Sequence, residues 1–304
     1  MKEETAVRVG YACINLSFKE SFRNYRLKTV ENKEEDKITE VIWHNIRLLH
    51  RIIEYNVKHN IYVYRVTSDL VPFSTHPYIE ALYKEKVLNN EEMYHHFTTI
   101  RALQEMYSLR LSIHPSQFNV LSSPKEDVVR RSIKEINAQT ELIKELRGEN
   151  VVIHIGGSYG DKKSALERFK ANLKYVDQNL ISIENDDKTY NVEEVVSLCE
   201  ERYLKWVYDY HHDRCHPSTE KGAAAFIQRY PPSKYHLSTG SPYCYSRPHA
   251  DYIRASDYKH FTMFLSKCGI QKADVIFEAK KKNKAIFHIL EPCGKGYWKL
   301  ETEE

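Results

Sequence analysis

The chain has 304 residues, is 41% apolar, and carries a formal net charge of +3 with a pI of about 8.3. That apolar share excludes wholesale disorder, while the pI lies below the ~9 at which composition alone would indicate nucleic acid, so any polyanion site has to be a local patch. No apolar run long enough to span a bilayer, no h-region in MKEETAVRVG and no CxxC pair among six scattered cysteines set aside membrane spans, secretion and a thiolate zinc ribbon, and predict a soluble, cytoplasmic protein with reduced thiols.

In chain order, β-branched runs at VRVGYAC (7–13), IYVYRVT (61–67), RLSIHP (110–115), NVVIHIGG (150–157), ISIEND (181–186), KWVYDYH (205–211), KYHLST (234–239) and ADVIFEAK (273–280) predict eight strands. Helical stretches separate them. The segment 40–60 puts apolar residues 42, 46, 49 and 53 on one face. Pro124 to Arg147 reads as a helix with a serine N-cap in SSPKEDVV, acids in its first turn and Gly148 at a left-handed C′ position. Further helices are expected near 90–109, 161–179, 192–203, 219–230 and 251–268. Eight strand–helix alternations without a linker predict an α/β chain folded as a single (β/α)8 TIM barrel over residues 1–280, with the polar 281–304 as a C-terminal extension. A doubly wound open sheet is the alternative, but GYACINL is not the glycine-rich first turn such a fold usually carries.

Chemistry gathers where the strands end. Strands three to eight run into His114, His154, Glu184, Asp209, His236 and Glu278, and the loop after the second delivers His76. A lone histidine or acid at a strand end is usually structural. Six in succession at one barrel pole are different, because buried like charges repel unless a cation neutralises them. His44, His50, His59, His95, His96 and His260 lie in helical stretches and read as solvated or partly packed. His211 and His216 stay ambiguous, and His212 is preferred because Asp209-x-x-His212 returns both side chains to the pole. Imidazole and carboxylate without thiolate suit manganese, zinc or iron better than calcium or magnesium alone. The set exceeds four-coordinate geometry, so two or three divalent ions sharing a bridging carboxylate are expected.

GYACINL, SDLVPFSTHP, LSIHPSQF, VVIHIGGSYGDK, IENDD, the D-x-x-H of DYHH, KYHLS, PHADYI and IFEAK together resemble the UV damage endonucleases, in order from about residue 7 to 280. The barrel is also distantly similar to three-zinc apurinic-site endonucleases and to xylose-isomerase-like sugar enzymes. The resemblance implies a monomeric nuclease that nicks double-stranded DNA immediately 5′ of cyclobutane pyrimidine dimers and 6-4 photoproducts, with abasic sites a further substrate, leaving a 3′-hydroxyl and a 5′-phosphate. It implies one ion on His114, His154 and Glu184 with His76 nearby, a second on Glu184, Asp209, His236 and Glu278, and a third between His212 and His249. Manganese is the first expectation, zinc or magnesium the alternatives. Glu184, Glu278 and Lys234 are the implied catalytic residues, Lys234 as an ammonium or as a carboxylated ligand. Gln117 and Phe118 would enter the duplex where the lesion is extruded, with Tyr11 and Asn15 as further probes. Phe118 stands where many members carry tyrosine, and Ser116 where glycine is common. Tyr159, Lys162 and the lysines of AKKKNK (279–284) are expected against the DNA, with Arg23 and Arg26 at that edge. A sugar isomerase or epimerase on the same barrel, and a damage-recognition module whose ions only brace the fold, are the competing readings.

Overall fold

Each β-branched run forms a strand, shorter than its sequence run in every case but the first, which has the same length. The computed structural model describes residues 5–218, 222–243 and 245–290. The strands are β1 (Ala6–Ala12), β2 (Val63–Val66), β3 (Arg110–Ile113), β4 (Asn150–Ile153), β5 (Ile181–Glu184), β6 (Lys205–Asp209), β7 (Lys234–Leu237) and β8 (Lys272–Phe277). They pair in parallel and in sequence order, and β1 also pairs with β8, which closes the barrel and excludes the open sheet. The helices are α1 (Leu27–Glu31), α2 (Glu35–Lys58), α3 (Pro77–Tyr83), α4 (Glu91–Tyr107), α5 (Glu126–Glu145), α6 (Lys162–Asn172), α7 (Val192–Arg202), α8 (Tyr210–Cys215), α9 (Gly222–Arg229), α10 (Ala255–Lys267) and α11 (Lys282–Leu290). Among the described residues no helix is long and apolar enough to cross a membrane.

Helix α2 buries Ile42, Ile46, Leu49 and Ile53, the face its periodicity marks. Helix α5 departs from expectation at both ends. It starts at Glu126 without a side-chain cap, and Ser123 Oγ accepts from Lys125 N one turn early. The left-handed residue at its end is Arg147 (φ 50°), while a Cβ on Gly148 would stand 2.5 Å from the Ile143 side chain. Gly148 therefore serves close packing rather than turn geometry. Gly10 in β1 is constrained in the same way, since a Cβ there would meet the Val63 carbonyl oxygen at 1.8 Å.

At the start of the stretch expected as an extension, residues 282–290 form a helix that buries Ala285, Ile286 and Ile289 and packs beside β8 and β1; residues 291–304 lie outside the described residues, as do 219–221 at the start of the helix expected over 219–230.

Among the described residues one continuous apolar core fills the space between strands and helices, and Ala12, Val63 and Ile276 form a separate apolar cluster inside the barrel. The remaining interior is largely polar. Alternation along a strand sends every second side chain inward, and the contacts that cross the barrel identify them. At the lower end Asp274 of β8 accepts from Arg8 of β1 (2.6 Å) and from Arg110 of β3 (2.9 Å). Burial opposes its charge, yet the two guanidinium groups hold the carboxyl below its ordinary range. One layer up, Lys234 Nζ of β7 reaches across to Ser112 Oγ of β3 at 2.7 Å. Buried charge needs such partners, and the column ends at the acids and imidazoles of the upper mouth.

Outside the barrel, α2 and α4 are joined by an imidazole pair, His50 Nδ1 to His96 Nδ1 at 2.7 Å. Burial lowers the pKa of both; Arg47 and His95 add to the effect and Glu54 and Glu92 oppose it. Folded, these groups bind protons less readily than in the unfolded chain, so their stabilisation is complete above the ordinary histidine pKa of ~6.5 and is lost as pH falls through it. Melting of chelator-treated protein should drop between about pH 7.5 and about pH 5.5, and by less in His96→Gln. An equal drop in both proteins would clear the pair of this role.

Candidate metal centre

The ligand candidates stand at or just past the C-terminal ends of the strands. Glu184 closes β5 and Asp209 closes β6, His236 lies within β7, and His114, His154 and Glu278 each take the first position after β3, β4 and β8. Glu184 is fully buried and has imidazoles on both oxygens. His114 Nε2 lies 3.1 Å and His154 Nε2 3.6 Å from Oε2; His236 Nδ1 lies 2.7 Å and His212 Nδ1 3.8 Å from Oε1. Burial by itself would raise this carboxyl; the charges of His236 and His154 and the hydrogen bonds from His114 and His236 outweigh it and hold the group well below the carboxylate range.

Three groups have ligand atoms close enough to share one ion: His114, His154 and Glu184; Glu184, Asp209 and His212; and Glu184, His236 and Glu278. Two buried atoms without hydrogen-bond partners, Asp209 Oδ2 and His236 Nε2, are what a cation site leaves when no cation competes for them. The residues present therefore fit divalent ions. Backbone carbonyls orient the rings: His114 Nδ1 faces Pro115 O at 2.9 Å, which turns its Nε2 to Glu184, and His212 Nδ1 faces Asn185 O at 2.9 Å.

The sequence did not single out two residues that shape the site. Arg65 of β2 forms an ion pair with Glu278 and holds that carboxyl far below its ordinary value against the opposing effect of burial. It stands two residues after Val63 and so shares that residue's inward face. Asn185 accepts from Asp209 N (2.9 Å) and donates to Asp209 O (3.0 Å), locking the ends of β5 and β6 together. Lys234 is buried and its pKa falls to about 7, chiefly through burial, with Arg110 and Arg65 adding to the effect.

Several expected positions differ. His76 stands outside all three groups; its Nδ1 accepts from Tyr78 N as the N-cap of α3. His249 belongs to none of the three groups; it lies 3.9 Å from Glu278 and packs edge-on against His211, whose own Nε2 is taken by Ser246 O. Tyr11 and Asn15 are buried, the phenol donating to Asn56 (2.7 Å) and accepting from Asn15 (2.8 Å), so neither offers surface to a duplex. Lys162 is engaged by Glu194 at 2.5 Å. Gln117 and Phe118, the latter 78% exposed, project from the β3 loop and, with Tyr159, line an open depression of about 410 Å³ that also exposes His154 and His212.

The family described as UV-endonuclease UvdE matches residues 7–300 of this chain. The chain belongs to that family. A UV DNA damage endonuclease of Bacillus cereus (strain G9842) is 31% identical over 277 residues, covering 87% of this chain and 85% of the relative. Its counterpart in Bacillus velezensis is 32% identical over 280 residues, with the same coverage. The crystal structure of SacUVDE superposes with a TM-score of 0.81 at 25% identity, over 95% of this chain and 98% of that one. Endonuclease IV from Thermus thermophilus shares the fold, with a TM-score of 0.59 at 13% identity over 94% and 99% of the two chains. This UvdE-family protein is thus a DNA-repair endonuclease acting on UV-damaged DNA.

Burial opposes the charge of His212, but Asp209, Glu184 and Glu278 raise its pKa to about 9. An ion taken up there near neutral pH would therefore displace a proton. Calorimetric titration with Mn²⁺ in buffers of different ionisation enthalpy should register about one proton released, with affinity rising as pH climbs toward 9. His212→Gln should remove that proton; an unchanged release would assign it elsewhere.

Proposed function

We propose that this enzyme nicks double-stranded DNA immediately 5′ of cyclobutane pyrimidine dimers and 6-4 photoproducts, leaving a 3′-hydroxyl and a 5′-phosphate, and acts as a cytoplasmic monomer with two or three divalent ions, manganese first among them. The observation that carries this reading is the sharing of Glu184 by three ligand groups at the mouth of the barrel, on a chain of the UvdE family. Ions there would lie on His114, His154 and Glu184, on Glu184, Asp209 and His212, and on Glu184, His236 and Glu278. Bound ions polarise the phosphoryl group, supply a nucleophile at neutral pH and stabilise the leaving oxygen.

The chain's own residues act around that chemistry. Glu184 would be shared among the ions, and its low pKa keeps it an anion. Arg65 occupies one oxygen of Glu278 and leaves Oε2 toward the mouth, where His249 approaches. Lys234, near neutrality in pKa, can serve at Nζ as a donor or as a neutral amine, and Ser112 fixes its position. Phe118 supplies an aromatic face for stacking, worth on the order of 1–3 kcal/mol per base, and Gln117 beside it can bond bases left without partners. A crosslinked dimer stacks and pairs poorly, so extrusion at the lesion costs less than at intact steps. The depression between Phe118 and His154 lies next to the ligands and gives an extruded dinucleotide a place to go.

UV-irradiated duplex should be nicked with Mn²⁺ and left intact after chelation, while unirradiated duplex is spared. Glu184→Gln should lower nicking at least a thousandfold with lesion binding retained, and Phe118→Ala should reduce the preference for damaged over intact duplex by about tenfold. Equal cutting of both duplexes by the wild type would refute the assignment.

A further inference from the structure

The loop after β1 does not present the residues its motif offers. Tyr11 and Asn15 are turned inside, and the loop instead displays two aliphatic side chains, Ile14 (41% exposed) and Leu16 (37% exposed). Isolated apolar side chains on a surface are ordinary. These two differ because the backbone beneath them is tied down on every side. Cys13 N donates to Arg65 O at 2.8 Å and Ile14 N to Ala12 O at 2.8 Å. Leu16 N donates to Asn283 Oδ1 at 2.7 Å, and Ser17 N to Asn15 Oδ1 at 2.9 Å. Cys13 takes a left-handed conformation (φ 63°) to make the turn, a strain a side-chain-bearing residue keeps only where its surroundings hold it. A braced loop that holds aliphatic groups in water can present them to an apolar partner with little further ordering cost.

The bracing also sets the chemistry of the neighbourhood. Asn283, which holds Leu16 N and Ser17 Oγ, lies inside the segment Lys280–Lys281–Lys282–Asn283–Lys284. Lys280 and Lys284 of that segment are exposed, and Lys281 is 3.6 Å from Asp251. Aliphatic groups held rigidly beside exposed lysines, at the same mouth as Phe118, match the surface of a duplex: phosphates for the ammonium groups and the apolar edge of a base step for the wedge.

We propose that Ile14 and Leu16 form a second wedge that enters the minor groove at the lesion from the β1 side, opening the step in concert with Phe118, while Lys280 and Lys284 hold the flanking phosphates. The inference rests on the function proposed above and adds a specificity element to it. Tyr11 and Asn15 are then positioning residues that set the loop and never touch DNA.

The test uses the intact, ion-loaded protein and a duplex with a single cyclobutane thymine dimer, a phosphorothioate at the scissile link to slow cutting, and 2-aminopurine opposite the lesion. Ile14→Ser with Leu16→Ser should lower the preference for this duplex over an undamaged one by about tenfold and abolish most of the 2-aminopurine rise. Ile14→Leu with Leu16→Ile should restore both. Lys280→Gln with Lys284→Gln should leave the preference intact and flatten the log affinity against log salt slope by about 2. A circular dichroism melt of each variant checks that the fold is kept. If the serine variant keeps wild-type preference and fluorescence, the wedge is refuted. It is equally refuted if light scattering finds a wild-type dimer that the serine variant dissolves, since the aliphatic pair would then bind a second copy. A wild-type protein without any preference for the dimer duplex would instead overturn the function reading, so the two failures are distinct.

Discussion

Four imidazoles, from the ends of β3, β4 and β7 and from α8, converge on one buried carboxylate, Glu184, at separations of 2.7 to 3.8 Å. Burying a lone carboxylate costs several kcal/mol, and it is tolerated only where opposite charge or hydrogen bonds meet it. The rest of the molecule is arranged to meet that demand. Parallel strands deliver each imidazole to the same pole, backbone carbonyls fix the rings, and Asn185 ties β5 to β6 so that Asp209 keeps its register with Glu184. The same convergence lets a single carboxylate belong to three ligand groups.

A proton and a cation would compete for this arrangement. Asp209, Glu184 and Glu278 favour the charged form of His212, and Glu278 pairs with Arg65. A bound ion would replace the proton on the imidazole but not the guanidinium, because arginine does not give up its charge. Arg65 would then remain a fixed positive neighbour of Glu278 in either case, whereas His212 would change role.

Much of this was legible in the sequence. Period-two and period-3.6 patterning located every strand and the major helices, and strand ends in histidine or acid gave Glu184, Asp209, His114, His154, His236 and Glu278 as one constellation. What failed was decided by side-chain direction. Tyr11 and Asn15 sit where a barrel loop meets its ligand, but the phenol finds Asn56 inside, forty-five residues away. His249 follows a loop of polar and apolar residues in mixed order, and nothing in its spacing announces its approach to Glu278. Arg65 escaped notice because a charge inside a β-branched run reads as a surface position until the partner across the barrel is known. The start of α11 was obscured by its lysines, which cover a buried face of Ala285, Ile286 and Ile289.

The polar column has a consequence for how the barrel is completed. Arg8 and Arg65 come from the first two strands, whereas the carboxylates that pair with them, Asp274 and Glu278, arrive with the last; Arg110 of β3 meets Glu149 before then as well as Asp274. A nascent chain emerging in order carries the guanidinium groups of Arg8 and Arg65 ahead of both acids. These two gain their carboxylates in the same event that closes the ring, when the eighth strand docks between its neighbours.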